Sequence, residues 1–140
     1  MTIRISSDPR LLHILRGVVR CRAEAAGFTV AESECLAMAV DEAASNVIRH
    51  TYAGRCDAML GLEIRSYEDR IEFFLEDSGP KVRQESLRPR PLEDVRPGGL
   101  GTFFINSFID VKNYDEDFPG GNRLKLVKYL PGKESACCES

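Results

Sequence analysis

The feature that most constrains this chain is an apolar period that begins near Ala31 and runs to about Thr51. Leu36, Val40, Ala43 and Val47 recur at three- and four-residue steps, the spacing of one buried helix face. Glu42 and Asn46, four apart, stack one turn above the other at the rim of that face. An acid and an amide so placed read in two ways: as a polar flank turned to water, or as functional groups held by a rigid element. A helix with so continuous an inner stripe must bury it against something, and the rest of the chain supplies candidates.

Upstream, Thr2–Ser6 alternates as a short edge strand does. Ser7, Asp8 and Pro9 follow as a helix start, with a capping side chain and a proline in the first turn. Leu12, Leu15, Val19 and Ala26 form the inner stripe of this first helix, and Gly27 is its expected stop. Its arginines Arg10, Arg16, Arg20 and Arg22 read most simply as a solvated face. Downstream of the second helix, Gly54 ends the region, and Ala58–Tyr67 and Arg70–Glu76 alternate enough to predict an antiparallel hairpin turning at Glu68-Asp69. Pro80 to Pro97, with Pro89 and Pro91 inside it, has little apolar period and reads as a long functional or mobile loop. A helix over Thr102–Ile109 and strands near Asp110–Tyr114 and Arg123–Leu130, around a turn at Pro119-Gly120-Gly121, complete the pattern. Helices and strands that do not strictly alternate predict an α+β fold, with helices covering one face of a mainly antiparallel sheet. The domain is expected over residues 1–131, with residues 132–140 a frayed tail.

Composition narrows the class. The net charge of −3 advertises no nucleic-acid partner, and no 18-residue apolar run or signal pattern is present. The five cysteines include no C-x-x-C pair; Cys21, Cys35 and Cys56 read as small apolar residues and Cys137-Cys138 as a tail feature, so a reducing, cytoplasmic setting is expected. Three short patterns carry possible chemistry. Gly98-Gly99-Leu100-Gly101 directly before a helix can turn backbone N–H groups toward phosphates, although such a cluster is also an ordinary turn. Asp77-Ser78-Gly79 at a strand end is an ordinary turn too, yet an aspartate there can accept from an exocyclic amine while the glycine admits a base. Asn46 offers a hard oxygen suited to phosphate-bound Mg²⁺. No G-x-x-x-x-G-K-[ST] loop is present, so a nucleotide site would be of another design.

The ordered set E-A-x-x-N-x-x-x-H-x-Y, D-S-G-P, R-P-G-G-L-G and G-G-N-R-L closely resembles the bacterial anti-sigma factor serine/threonine kinases, a branch of the GHKL, or Bergerat-fold, ATPases that also contain histidine kinases and gyrase. The resemblance runs from about Thr2 to Leu130. It implies a two-layer α/β sandwich, with a mixed, mostly antiparallel sheet and a long mobile ATP lid over Pro80–Pro97. It implies Asn46 as the Mg²⁺ ligand between phosphates, Glu42 as general base toward a serine hydroxyl, and Asp77 as acceptor of the adenine amine beside Gly79. Gly99, Leu100 and Gly101 would form the phosphate side of the lid. Spacing alone places Arg16 at a first-helix arginine used in partner binding. Lys81 and Asn122 depart from the pattern, where relatives carry a glycine and an adenine-holding threonine; Asn122 can still bond a base or a water. His50 reads as a helix-end or core residue.

The implied function is an ATP- and Mg²⁺-dependent kinase that phosphorylates a STAS-type anti-anti-sigma antagonist and sequesters a sigma factor, acting as a homodimer with no direct contact to nucleic acid or membrane. A nucleotide-binding regulatory module without kinase activity is the alternative. An α+β domain without nucleotide is a third reading, should the four patterns be coincidental.

Overall fold

The computed structural model describes residues 1–81 and 107–131. Five strands form one sheet: β1 (Thr2–Ser6), β2 (Met59–Ser66), β3 (Arg70–Asp77), β4 (Val111–Tyr114) and β5 (Asn122–Tyr129), in the spatial order β1-β2-β3-β5-β4. Each pairing between them is antiparallel. The two long helices are α1 (Leu12–Ala26) and α2 (Val30–Asn46), and they pack on each other. The α+β layer expected from the sequence is the one found. Most of the helix expected over 102–109, the loop after Lys81 and the tail from residue 132 lie outside the described residues.

Local chemistry sets the helix ends. Asp8 caps a short 3₁₀ turn, Pro9–Leu11, by accepting from the Arg10 N–H, and α1 follows directly. Gly27 ends α1 in the left-handed conformation at φ 110°. Thr29 and Glu32 form a reciprocal capping box at the start of α2: the Thr29 hydroxyl accepts from the Glu32 N–H, and the Glu32 carboxylate from the Thr29 N–H. The α2 ladder then widens to a π-helical turn over Val47–Thr51, closed by the Tyr52 N–H donating to the Val47 carbonyl at 2.9 Å.

Leu36, Val40, Ala43 and Val47 are all buried, as their period predicts. On α1 the stripe is Leu12, Leu15, Val19 and Ala23; Ala26 is only half-buried, because Ala23 is the residue that continues the four-residue step. These side chains meet Leu60, Leu62, Ile64, Ile71, Phe73, Leu75 and Leu126 on one face of the sheet, and each large aliphatic or aromatic group so enclosed contributes about 1.5–3 kcal/mol. The opposite face carries no described helix, and its central Phe74 is buried beneath the cations of Arg65, Arg123 and Lys125. Cys21 and Cys56 are exposed rather than packed as small apolar residues, since both fall outside the inward stripes. Three of the four α1-region arginines have carboxylate partners: Arg10 with Asp8, Arg16 with Asp41 and Arg20 with Glu34.

Candidate functional site

Asp77 is the last residue of β3 and follows Phe73 and Leu75 on the helix-facing side, so the pleat that buries the core also buries its carboxylate. The antiparallel register sets Asn122, the first residue of β5, directly opposite. Asn122 is 2% exposed, and its Nδ2 donates to Asp77 Oδ1 at 2.9 Å and to the Pro80 carbonyl at 2.7 Å. The Gly79 N–H donates to the same Asp77 oxygen at 2.9 Å. Tyr114 lies nearby on β4; burial, helped by the Asp77 charge, pushes its hydroxyl pKa up to about 12.

Two glycines make this corner possible. A Cβ on Gly79 would overlap the Thr51 methyl, and a Cβ on Gly121 would overlap the Asp77 carbonyl oxygen and lie 2.8 Å from Ser78 Cα. Gly121 therefore serves close approach of two backbones, beyond the turn role its sequence context suggests. The turn is also seized from the helix side. Tyr52 Oη accepts from the Ser78 N–H at 2.8 Å and donates to the Met59 carbonyl at 2.6 Å. The tyrosine of the H-x-Y pattern thereby fastens the end of α2 to the Asp77 turn. His50 is an exposed helix-end residue.

At the other end, Glu42 and Asn46 do share a face of α2, and a third residue joins them. Arg49 Nη2 donates to Asn46 Oδ1 at 2.7 Å and to Glu42 Oε1 at 3.2 Å. Burial raises the Glu42 pKa above the ordinary carboxylate value, and the Arg49 guanidinium pulls against that rise. The sequence reading missed Arg49, although its place seven residues after Glu42 and three after Asn46 was a usable signal. It also missed Tyr114, for which no local pattern existed. Gly99, Leu100 and Gly101 lie outside the described residues. Lys81 Nζ donates to the Phe118 carbonyl on the β4–β5 connection. Arg16 donates to Asp41, the residue before Glu42, at 2.9 Å, and its side chain remains 39% exposed.

Among the described residues, no group of three or more His, Cys, Asp or Glu side chains is set to hold a metal ion. The donor set fits Mg²⁺ in its phosphate-assisted mode, in which one protein oxygen suffices and phosphates and water complete the octahedron. Asn46 Oδ1, which now accepts from Arg49, would be the protein oxygen of such a site once Arg49 releases it.

Two helices lie on one face of an antiparallel sheet, and the end of the second is fastened through Tyr52 to a D-S-G turn with a buried carboxylate, which makes a two-layer α+β domain. The profile of the histidine kinase-like ATPase domain matches residues 5–128, and the chain belongs to that family. It is similar to the serine-protein kinase RsbW of Halalkalibacterium halodurans, at 33% identity over 96% of this chain and 84% of that protein. The serine-protein kinase RsbW of Bacillus subtilis is 26% identical over 94% of this chain and 86% of its own length. Among solved structures, the histidine kinase domain of the Erythrobacter litoralis EL346 blue-light activated histidine kinase superposes with a TM-score of 0.57 at 11% identity. That match covers 94% of this chain and 65% of the other, and it speaks to the fold.

Proposed function

We propose that this chain is an ATP-dependent serine/threonine protein kinase and anti-sigma factor. It phosphorylates a STAS-type anti-anti-sigma antagonist and, freed of that antagonist, sequesters a sigma factor; it works in the cytoplasm as a homodimer. The observation that carries this reading is the seam at Tyr52. By bonding Ser78 it makes one continuous unit of the helix bearing Glu42 and Asn46 and the turn bearing Asp77. The nine steps from Glu42 to Thr51 correspond to about 13 Å of helix rise, a span over which a sugar and phosphates can lie between base and reacting end. The names of the RsbW relatives agree with the activity.

In this reading Asp77 accepts the adenine amine, with Gly79 and Asn122 around it, and Gly99, Leu100 and Gly101 are assigned to phosphate binding. Asn46 would hold Mg²⁺, which when bound would neutralise and template the phosphates. The hydroxyl oxygen of the partner's serine or threonine attacks the γ-phosphorus, the bond from that phosphorus to the β–γ bridging oxygen breaks, and ADP leaves. Glu42 receives the hydroxyl proton, for which a raised pKa is favourable so long as the group is ionised at the working pH.

A second reading, a nucleotide-binding module that recognises partners without phosphorylating them, is favoured by one observation: Arg49 engages both Glu42 and Asn46, occupying the base and the metal oxygen together. Incubation with Mg²⁺, γ-labelled ATP and candidate STAS-type partners decides between the two. Label on a partner hydroxyl is expected; saturable ATP binding with no label on any partner would establish the module instead.

A further inference from the structure

Asn122 differs from an ordinary base-contacting amide in how its hydrogens are spent. Both partners of Nδ2, the Asp77 carboxylate and the Pro80 carbonyl, only accept, so the amide can face them in one orientation alone. An NH₂ group has two hydrogens, and both are used inside the protein. Neither remains to donate to a base. Asp77 Oδ1, for its part, takes two donors, Asn122 Nδ2 and the Gly79 N–H, and among the described residues no donor reaches Oδ2. The carboxylate is thus held by one oxygen and offers the other.

We propose that Asn122 is a positioning and specificity-determining residue: it aims Asp77 Oδ2 at a purine that presents a donor, and its bond to Pro80 fixes the chain leaving the D-S-G turn against β5. It acts through Asp77 rather than by donating to the base. The burial of both groups makes the arrangement stiff, because a turned carboxylate would strand a buried N–H of Asn122. Stiffness is what discrimination needs. A carboxylate free to rotate could recruit a water to meet a base carbonyl, whereas an aimed acceptor meets that carbonyl as an uncompensated repulsion.

This inference rests on the reading of Asp77 as the base acceptor, and the experiment separates the two. Dissociation constants of the full-length chain are measured for ATP and for inosine triphosphate, which differ at the base position where an amine is replaced by a carbonyl. The unsubstituted chain should favour ATP. In Asn122→Leu, close in size and without donors, ATP affinity should fall about tenfold while inosine triphosphate affinity stays nearly constant, so the preference collapses. Asn122→Thr, which keeps one donor, should retain part of the preference, and it decides the matter if the leucine variant fails to fold. A merely structural role would lower both affinities together and leave their ratio unchanged, which would overturn the proposal. Equal affinities in the unsubstituted chain would overturn the Asp77 reading itself.

Discussion

The two ends of the candidate site are built by opposite means. At the turn end, strand register brings Asp77 and Asn122 face to face, both are buried, and backbone and side-chain donors converge on one carboxylate oxygen. At the helix end, Glu42 and Asn46 are half-buried on a single helix, and their shared partner Arg49 is exposed. One end is preformed by the sheet; the other is held by a long side chain that can leave. Recognition that must reject near-identical bases gains from a fixed acceptor, while chemistry that must admit a metal, phosphates and a protein hydroxyl gains from a replaceable contact.

The contrast is broken most severely at Gly121. In Gly121→Ala the new methyl meets the Asp77 backbone, which cannot rotate away as a side chain would. A loss of about 3 kcal/mol is expected, at the upper end of overpacking costs, together with weakened ATP binding. Urea denaturation and calorimetric titration measure the two, and an unchanged midpoint would mean that the turn end is softer than its contacts imply.

Glu42→Gln tests the helix end. Transfer should drop about a hundredfold, the usual worth of a positioned base, with ATP affinity nearly unchanged. Stability should move in the other direction. Because burial raises the folded-state pKa of Glu42, its contribution is full below the unfolded value and is lost as pH rises through the folded one. The glutamine variant escapes that loss, so relative to the unsubstituted chain it should gain stability from acidic to neutral pH. Denaturation midpoints at a series of pH values follow this, and parallel curves would contradict the burial argument.

The smallest effect is expected at Arg49. Arg49→Ala frees the Asn46 oxygen and should tighten Mg²⁺-dependent ATP binding by at most about fivefold, the upper worth of an exposed ion pair. Without its cation the Glu42 carboxyl moves further up, so the acid limb of the transfer rate should shift to higher pH. Weaker binding instead would mean that Arg49 gives its charge to the phosphates, and the replaceable contact would become a ligand.

Much of this was legible in the chain. The α2 stripe, the Gly27 stop and the two-helix, one-sheet layering follow from periods and punctuation that act over a few residues. Asp77 is visible because a strand end with D-x-G is local too. What escaped is non-local. The pairing of Asp77 with Asn122 spans 45 residues and depends on strand register, and the clash at Gly121 depends on how closely two backbones pass. Arg49 escaped for a different reason: its spacing was visible, but an arginine on a helix rim has many possible partners, and only the rotamer selects Glu42 and Asn46 together.

The π turn at Val47–Thr51 also sets a clock. An ordinary α-helix advances about 100° per residue, and one residue more in a single turn sets every later side chain back by that angle. Tyr52 reaches Ser78 and Met59 on the far side of that offset. Kept as a regular α-helix with no residue removed, the same segment would swing the tyrosine about 100° off its partners, whereas removing one residue would let the tyrosine close an ordinary α turn onto Val47 in nearly the same direction. The seam therefore takes its phase from the widened turn, which absorbs one residue beyond the regular count without moving the tyrosine away from the strands.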